Sequence, residues 1–190
     1  MLEQMSHIDQ EIFLFINGFH NAFFDIIMFW VSKTVTWIPL WLYFIYLIIR
    51  KYKKISWIII VALIASVGVS DFVSVHLFKN VFERLRPCYN PEISSIVHIV
   101  KDHCGGKYGF VSSHSANMFS IATFIFLLFK KDFPKYILLV IVWSGLIAYS
   151  RVYLGVHYPG DIIGGAILGS LVSVVFYLFI KRFIPHYKTL

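Results

Sequence analysis

At 190 residues, with 58% hydrophobic and 14% charged side chains and a mean hydropathy of +0.74, this chain is too apolar for a soluble domain, which is nearer half apolar and a quarter charged. A formal net charge of +7 would suit nucleic acid, but the basic residues cluster at the ends of apolar runs. That pattern reads as membrane topology and anionic head groups, with no nucleic-acid partner.

The N-terminus carries Glu3, Asp9 and Glu11 where a signal peptide has a cationic region, so the first apolar segment is expected to stay in the mature chain. That segment, 12–31, is interrupted by Asn17-Gly18 and Asp25. It reads as one bent helix, or as an interfacial piece followed by a short span. Further apolar runs cover 37–50, 55–78, 111–129, 136–149 and 162–180. A spanning helix needs about 20 apolar residues, or about 17 at the lower end, and two of these runs are shorter. The expected fold is all-α: one domain over 1–190, an integral membrane bundle of about six transmembrane helices, with five as the alternative. No internal repeat, linker or low-complexity stretch divides it.

Three basic clusters test the count. Arg50, Lys51, Lys53 and Lys54 follow the second run; Lys130, Lys131 and Lys135 follow the fourth; Lys181, Arg182 and Lys188 follow the sixth. With six spans all three fall on one face, which the positive-inside rule makes cytoplasmic. The other face receives the link near Lys33, the loop 79–110 and the link 151–159.

Lys79, Arg84, Arg86 and Arg151 break this charge bias. As single residues Lys79, Arg86 and Arg151 read equally as snorkelling anchors. Together, beside two histidines, they read as an anion site: guanidinium forks match phosphate oxygens and lysine adds a point charge. Ser112, Ser113 and His114 open an apolar run, where free N–H groups and the helix dipole favour an anion; Ser112 also reads as an ordinary N-cap. Gly105-Gly106 upstream needs only a turn. His157 and Asp161 are four apart around Pro159-Gly160, a helix start. A carboxylate there can hold one imidazole nitrogen and leave the other to attack. His7, His20, His98, His103 and His186 read as ordinary loop residues. Asp71 and His76, in or near the third run, are functional candidates only because they are ionisable within a span.

The order Lys79, six residues, Arg86-Pro87; then Ser112-Ser113-His114; then Ser150-Arg151, five residues, His157, three residues, Asp161 resembles the three-part signature of the type 2 phosphatidic acid phosphatase superfamily, which includes vanadium haloperoxidases. The resemblance implies His157 as a nucleophile forming a phosphohistidine, oriented by Asp161. It implies His114 as proton donor to the leaving oxygen. Lys79, Arg86 and Arg151 would hold the phosphoryl oxygens, and Ser112 and Ser113 would add hydroxyl or backbone donors. The family usually has Pro-Ser-Gly-His in the second part; here Val111 replaces the proline and Ser113 the glycine. The family uses no metal or cofactor, and the chain has no His-Glu-x-x-His and no carboxylate cluster with metal spacing.

The resemblance therefore implies a lipid phosphatase in a bacterial inner membrane, its site facing the periplasm or outside. The substrate expected is a lipid A phosphate or undecaprenyl diphosphate. Alternatives are phosphatidylglycerol phosphate, or transfer of phosphate to a second lipid. A haloperoxidase is disfavoured by the lipid-facing surface. A non-catalytic anionic-lipid transporter needs cations but gives no reason for a histidine with an orienting carboxylate. The sequence leaves the oligomeric state open. Cys88 and Cys104 share the outer loop, where thiols oxidise; a disulfide between them is expected, contributing about 3 kcal/mol by chain entropy.

Overall fold

A computed structural model describes residues 2–102, 104–135 and 137–183. Lys188, His103, His186 and Tyr136 lie outside the described residues. The rest forms an all-α membrane bundle. Among the described residues there is no strand, only one antiparallel bridge between Leu85 and Tyr108.

Helix α1 (Leu2–Gly18) is followed by α2 (Ala22–Ser32), α3 (Ile38–Tyr52) and α4 (Ser56–Val73). The last continues through a π-helical turn, Ser74–Lys79, to Phe82. Then come α5 (Ser113–Phe129), α6 (Leu138–Tyr153) and α7 (Pro159–Phe183). Lys53, with φ at +45°, stops α3 and turns the chain back. Trp41, Phe44 and Ile45 of α3 then line one groove with Leu63, Ile64 and Val67 of α4. At 25 residues α7 is long and apolar enough to cross a bilayer. Its Ile163, Ile167, Leu171 and Val175 recur every four residues and are all exposed, as a lipid-facing stripe must be. Helices α5 and α6 have 17 and 16 residues, near the lower limit for a span.

Lipid is as apolar as leucine, so helices here associate by close packing and hydrogen bonds. Gly165 and Gly169 put α7 directly on α5: a Cβ at Gly165 would meet Ser112 O at 2.5 Å, and one at Gly169 would collide with Ala116 O. Serines glue the seam. Ser120 Oγ lies 3.2 Å from Ser66 Oγ and 2.9 Å from Ser173 Oγ, with all three residues buried. Far from the site, Phe44, Ile48, Tyr52, Ile59, Phe124, Leu128, Phe129 and Ile180 form the main apolar cluster. Lys51 Nζ donates to Leu128 O and to Asp132, which ties the α3–α4 turn to the end of α5. The described members of all three basic clusters share this end.

The first apolar run does not behave as a span. Helices α1 and α2 meet at a bend of 117°. Asn17 Nδ2 donates to His98 O and Tyr153 O, both at 2.9 Å, and Asn21 Oδ1 caps α2 at Phe24 N. Asp25 accepts from Tyr153 Oη at 2.9 Å. Asp9 and Ser32 likewise bond to residues at the opposite end from the basic clusters. The pair therefore folds over that end as a cap. Of the two expected counts this favours five crossings, α3 to α7; the basic clusters still share one face, because the sequence from α3 onward alternates as before.

Candidate active site

The site is built at the capped end, where α4, α5, α6 and α7 bring their termini together. Gly155, with φ at +79°, ends α6, and a Cβ there would strike His98 O. The chain then turns through His157 into α7. His157 is 2% exposed and Asp161 is fully buried. His157 Nδ1 lies 3.3 Å from Asp161 Oδ2, which also accepts from Tyr158 N at 3.0 Å. With Nδ1 so engaged, Nε2 is the atom left for chemistry. Burial first, then the charges of Arg86, Arg151, Lys79 and His114, holds the His157 imidazole well below its usual pKa of 6.5. A lowered pKa keeps the ring neutral to more acid pH, so the free base is present at neutrality.

Each cation has its own support. The π-helical turn carries Lys79 to the start of α5, where its Nζ donates to Ser113 Oγ at 2.7 Å. Ser74 Oγ lies 2.6 Å from the same hydroxyl. Arg86 is 8% exposed; its Nη1 donates to Cys104 O at 2.8 Å and its Nε to Tyr108 O at 3.3 Å. Cys88 and Cys104 are paired in a disulfide with Cα atoms 6.3 Å apart. Arg151 Nη1 donates to Ser32 Oγ at 2.6 Å, while its Nε is buried with no partner among the described residues. His114 Nε2 donates to Ser32 O at 2.9 Å, which leaves Nδ1. Ser112 is more cap than ligand: its N–H donates to Asp161 O at 3.0 Å and its Oγ accepts from Ser115 N. It thereby fastens the start of α5 to the start of α7.

The residues singled out from the sequence thus gather at one end of the bundle, the two weaker candidates at its margin: the charge of Asp71 acts on Lys79, and its carbonyl accepts from Ser74 Oγ. Asp71 accepts from Asn117 Nδ2 at 3.0 Å, and His76 bonds Phe72 O on its own helix and is exposed. His98 and His20 are not simple loop residues. His98 Nε2 lies 3.1 Å from both Asp25 oxygens and its ring stacks on His20 at 3.6 Å. The cap needs a donor there for the Asp25 carboxylate.

Sequence reasoning missed Ser32 and Gly109. Ser32 touches both His114 and Arg151, but a serine ending an apolar run carries no signal. Gly109 lies against the histidine: a Cβ there would sit 2.9 Å from Asp161 Oδ2, 3.2 Å from Arg86 Cγ and 3.6 Å from His157 Nδ1. Gly109→Ala is expected to lower kcat about 10²-fold by displacing the His157–Asp161 pair, with the folded fraction in detergent unchanged. Steady-state kinetics beside a thermal melt checks this; wild-type kcat would show that the contact relaxes without cost.

Known proteins bear on this arrangement. The profile of the PAP2 superfamily matches residues 56–185. A lipid A 4'-phosphatase of Bacteroides thetaiotaomicron is 35% identical, over 100% of this chain and 82% of the relative. An undecaprenyl-diphosphatase of Sulfolobus acidocaldarius is 29% identical, over 90% of this chain and 78% of the relative. The crystal structure of a transmembrane PAP2-type phosphatidylglycerolphosphate phosphatase from Bacillus subtilis superposes with a TM-score of 0.71 over 96% of this chain and 89% of that one. At 21% identity that likeness concerns the fold alone. The chain is an integral membrane lipid phosphatase. It belongs to the PAP2 superfamily.

Proposed function

We propose that this chain removes a phosphate monoester from a lipid A-type glycolipid, through a phosphohistidine on His157 and without a metal. The full-length match to the lipid A 4'-phosphatase supports the substrate. The chemistry is carried by one observation: a buried His157–Asp161 pair faces the cations Lys79, Arg86 and Arg151.

In the first step His157 Nε2 attacks phosphorus and the bond to the lipid oxygen breaks. His114, which takes up a proton on Nδ1 when the phosphate dianion binds beside it and offsets the neighbouring cations, gives that proton to the leaving alkoxide. In the second step a water loses a proton to His114 and its oxygen attacks the phosphohistidine. The P–N bond breaks, and inorganic phosphate and free His157 result. Lys79, Arg86 and Arg151 stabilise the charge on the equatorial oxygens, and preorganised cations of this kind can be the largest catalytic contribution. The basic clusters at the far end support a cytoplasmic position for that end. The site then opens on the periplasmic side of a bacterial inner membrane.

Undecaprenyl diphosphate is the second reading, supported by the Sulfolobus relative. Purified protein assayed side by side on bisphosphorylated lipid A, undecaprenyl diphosphate and phosphatidylglycerol phosphate decides between them. Phosphate release is expected to be fastest from lipid A, to survive EDTA and to be inhibited by vanadate. Loss on chelation, restored by a divalent ion, would overturn the mechanism; faster release from another lipid would replace the substrate.

A further inference from the structure

Behind the His157–Asp161 pair lies a chain of charge that none of the phosphate-binding residues explains. Arg84, between Lys79 and Arg86 in the sequence, points its two terminal nitrogens at two carboxylates. Nη1 donates to Asp161 Oδ1 at 2.9 Å and Nη2 to Asp9 Oδ2 at 2.7 Å. The other Asp9 oxygen accepts from Gly160 N at 2.7 Å, one residue before Asp161. The Arg84 guanidinium also lies over the Tyr158 ring, 4.2 Å from its centroid, and its backbone is pinned by Gly109 N donating to Arg84 O at 2.8 Å.

Asp9 comes from α1, which carries no residue of the phosphate site. On a helix, positions four apart share a face, and Asp9, Phe13 and Asn17 form such a stripe. All three dock on the site side. Phe13 is fully buried edge-on against Tyr158 at 5.4 Å, and Asn17 clamps Tyr153 O and His98 O. The segment 157–161 is therefore gripped by α1 through Asp9 and Phe13 and by the loop through Arg84. Gly160 has no room for a side chain, since a Cβ would lie 2.7 Å from Asp9 Oδ2.

We propose that Asp9 and Arg84 are positioning residues for catalysis: Asp9 holds Arg84, Arg84 holds Asp161, and Asp161 holds His157. A fully buried carboxylate is costly unless it is paired and hydrogen-bonded. Arg84 is the cation that meets Asp161 directly, at the oxygen His157 does not use. Without it the buried carboxylate loses its ion pair and is driven to take up a proton; as a carboxylic acid it can donate to Nδ1 as well as accept from it, and the ring loses its fixed tautomer. Where an aspartate orients a catalytic histidine, the wrong tautomer costs rate while the geometry stays intact; here too the loss is expected in turnover. This rests on His157 being the nucleophile.

The test uses the full chain in detergent. Arg84→Gln is expected to lower kcat about 100-fold and Asp9→Asn about tenfold, with KM and the vanadate inhibition constant within about threefold of wild type. The double variant should be no slower than Arg84→Gln, because the two act through one link. Arg84→Lys should recover part of the loss. A second readout needs no activity: in protein labelled with 15N-histidine, the His157 signal, identified by its absence in His157→Ala, should show Nδ1–H in wild type and a mixture of tautomers in Arg84→Gln. If Arg84→Gln does not fold, Asp9→Asn and Arg84→Lys carry the same comparison. Unchanged kcat and an unchanged tautomer in the folded variants would overturn the proposal, as would losses that multiply in the double variant. A wild type inactive on every lipid phosphate, with the tautomer still dependent on Arg84, would overturn the proposed function and leave the positioning role standing.

Discussion

His157→Ala is expected to abolish phosphoenzyme formation and to lower phosphate release on the order of 10⁴-fold or more, the scale seen when a covalent nucleophile is removed. Brief incubation with labelled substrate should leave acid-labile, base-stable phosphate on wild type and none on the variant. His114→Ala should still trap label when the leaving group is good, because its proposed role is to protonate a poor one. The geometry makes the two histidines unequal. His157 is bonded to a buried carboxylate that can support the positive ring formed on attack, whereas His114 is bonded to the neutral carbonyl of Ser32. Wild-type label in His157→Ala would sink the assignment.

Arg151→Met is expected to cost about 10²- to 10³-fold in kcat, the range for removing one preorganised donor to a developing charge. Vanadate inhibition should weaken in parallel. Stability should move differently. Arg151 Nε is buried without a partner among the described residues, and a buried unsatisfied polar group costs about 1–3 kcal/mol. Methionine removes that cost but also the bond to Ser32 Oγ, and the two offset, so the melting temperature in the absence of ligand should change little. Added vanadate should then stabilise wild type more than the variant. A lower melting temperature with unchanged vanadate affinity would make Arg151 a structural residue. The contrast with Arg84 is direct: there vanadate affinity is expected to survive while turnover falls.

Much of the site was legible because its chemistry is local in sequence. Lys79 and Arg86-Pro87 lie within one turn-and-loop, and His157 and Asp161 are one helical turn apart, so spacing alone could suggest that they act together. The spans were legible for a similar reason, since lipid demands long apolar runs. What escaped was held by distance. Asn17 and Asp25 looked like flaws in a span, but Asn17 is satisfied by carbonyls 81 and 136 positions away. Ser32 reaches across 82 positions to His114 and 119 to Arg151. Asp9 reads as one more acidic residue near the start until α1 is seen docked beside Gly160. No local period announces a polar group whose partner is on another element.

The folding of α1 and α2 over the site end also bears on how the protein is made. Five crossings put the segment ahead of α3 and the end of α7 on opposite faces, so under the proposed orientation the segment ahead of α3 would have to be carried through the bilayer rather than held back. Transfer of such a tail is opposed mainly by lysine and arginine. Residues 1–32 contain neither; the first basic side chain of that kind is Lys33, at the threshold of the first crossing. The acidic residues of this tail, Asp9 among them, are of little hindrance to export. Under that orientation the same composition that lets the tail pass would deliver to the outer face the carboxylate that meets Arg84.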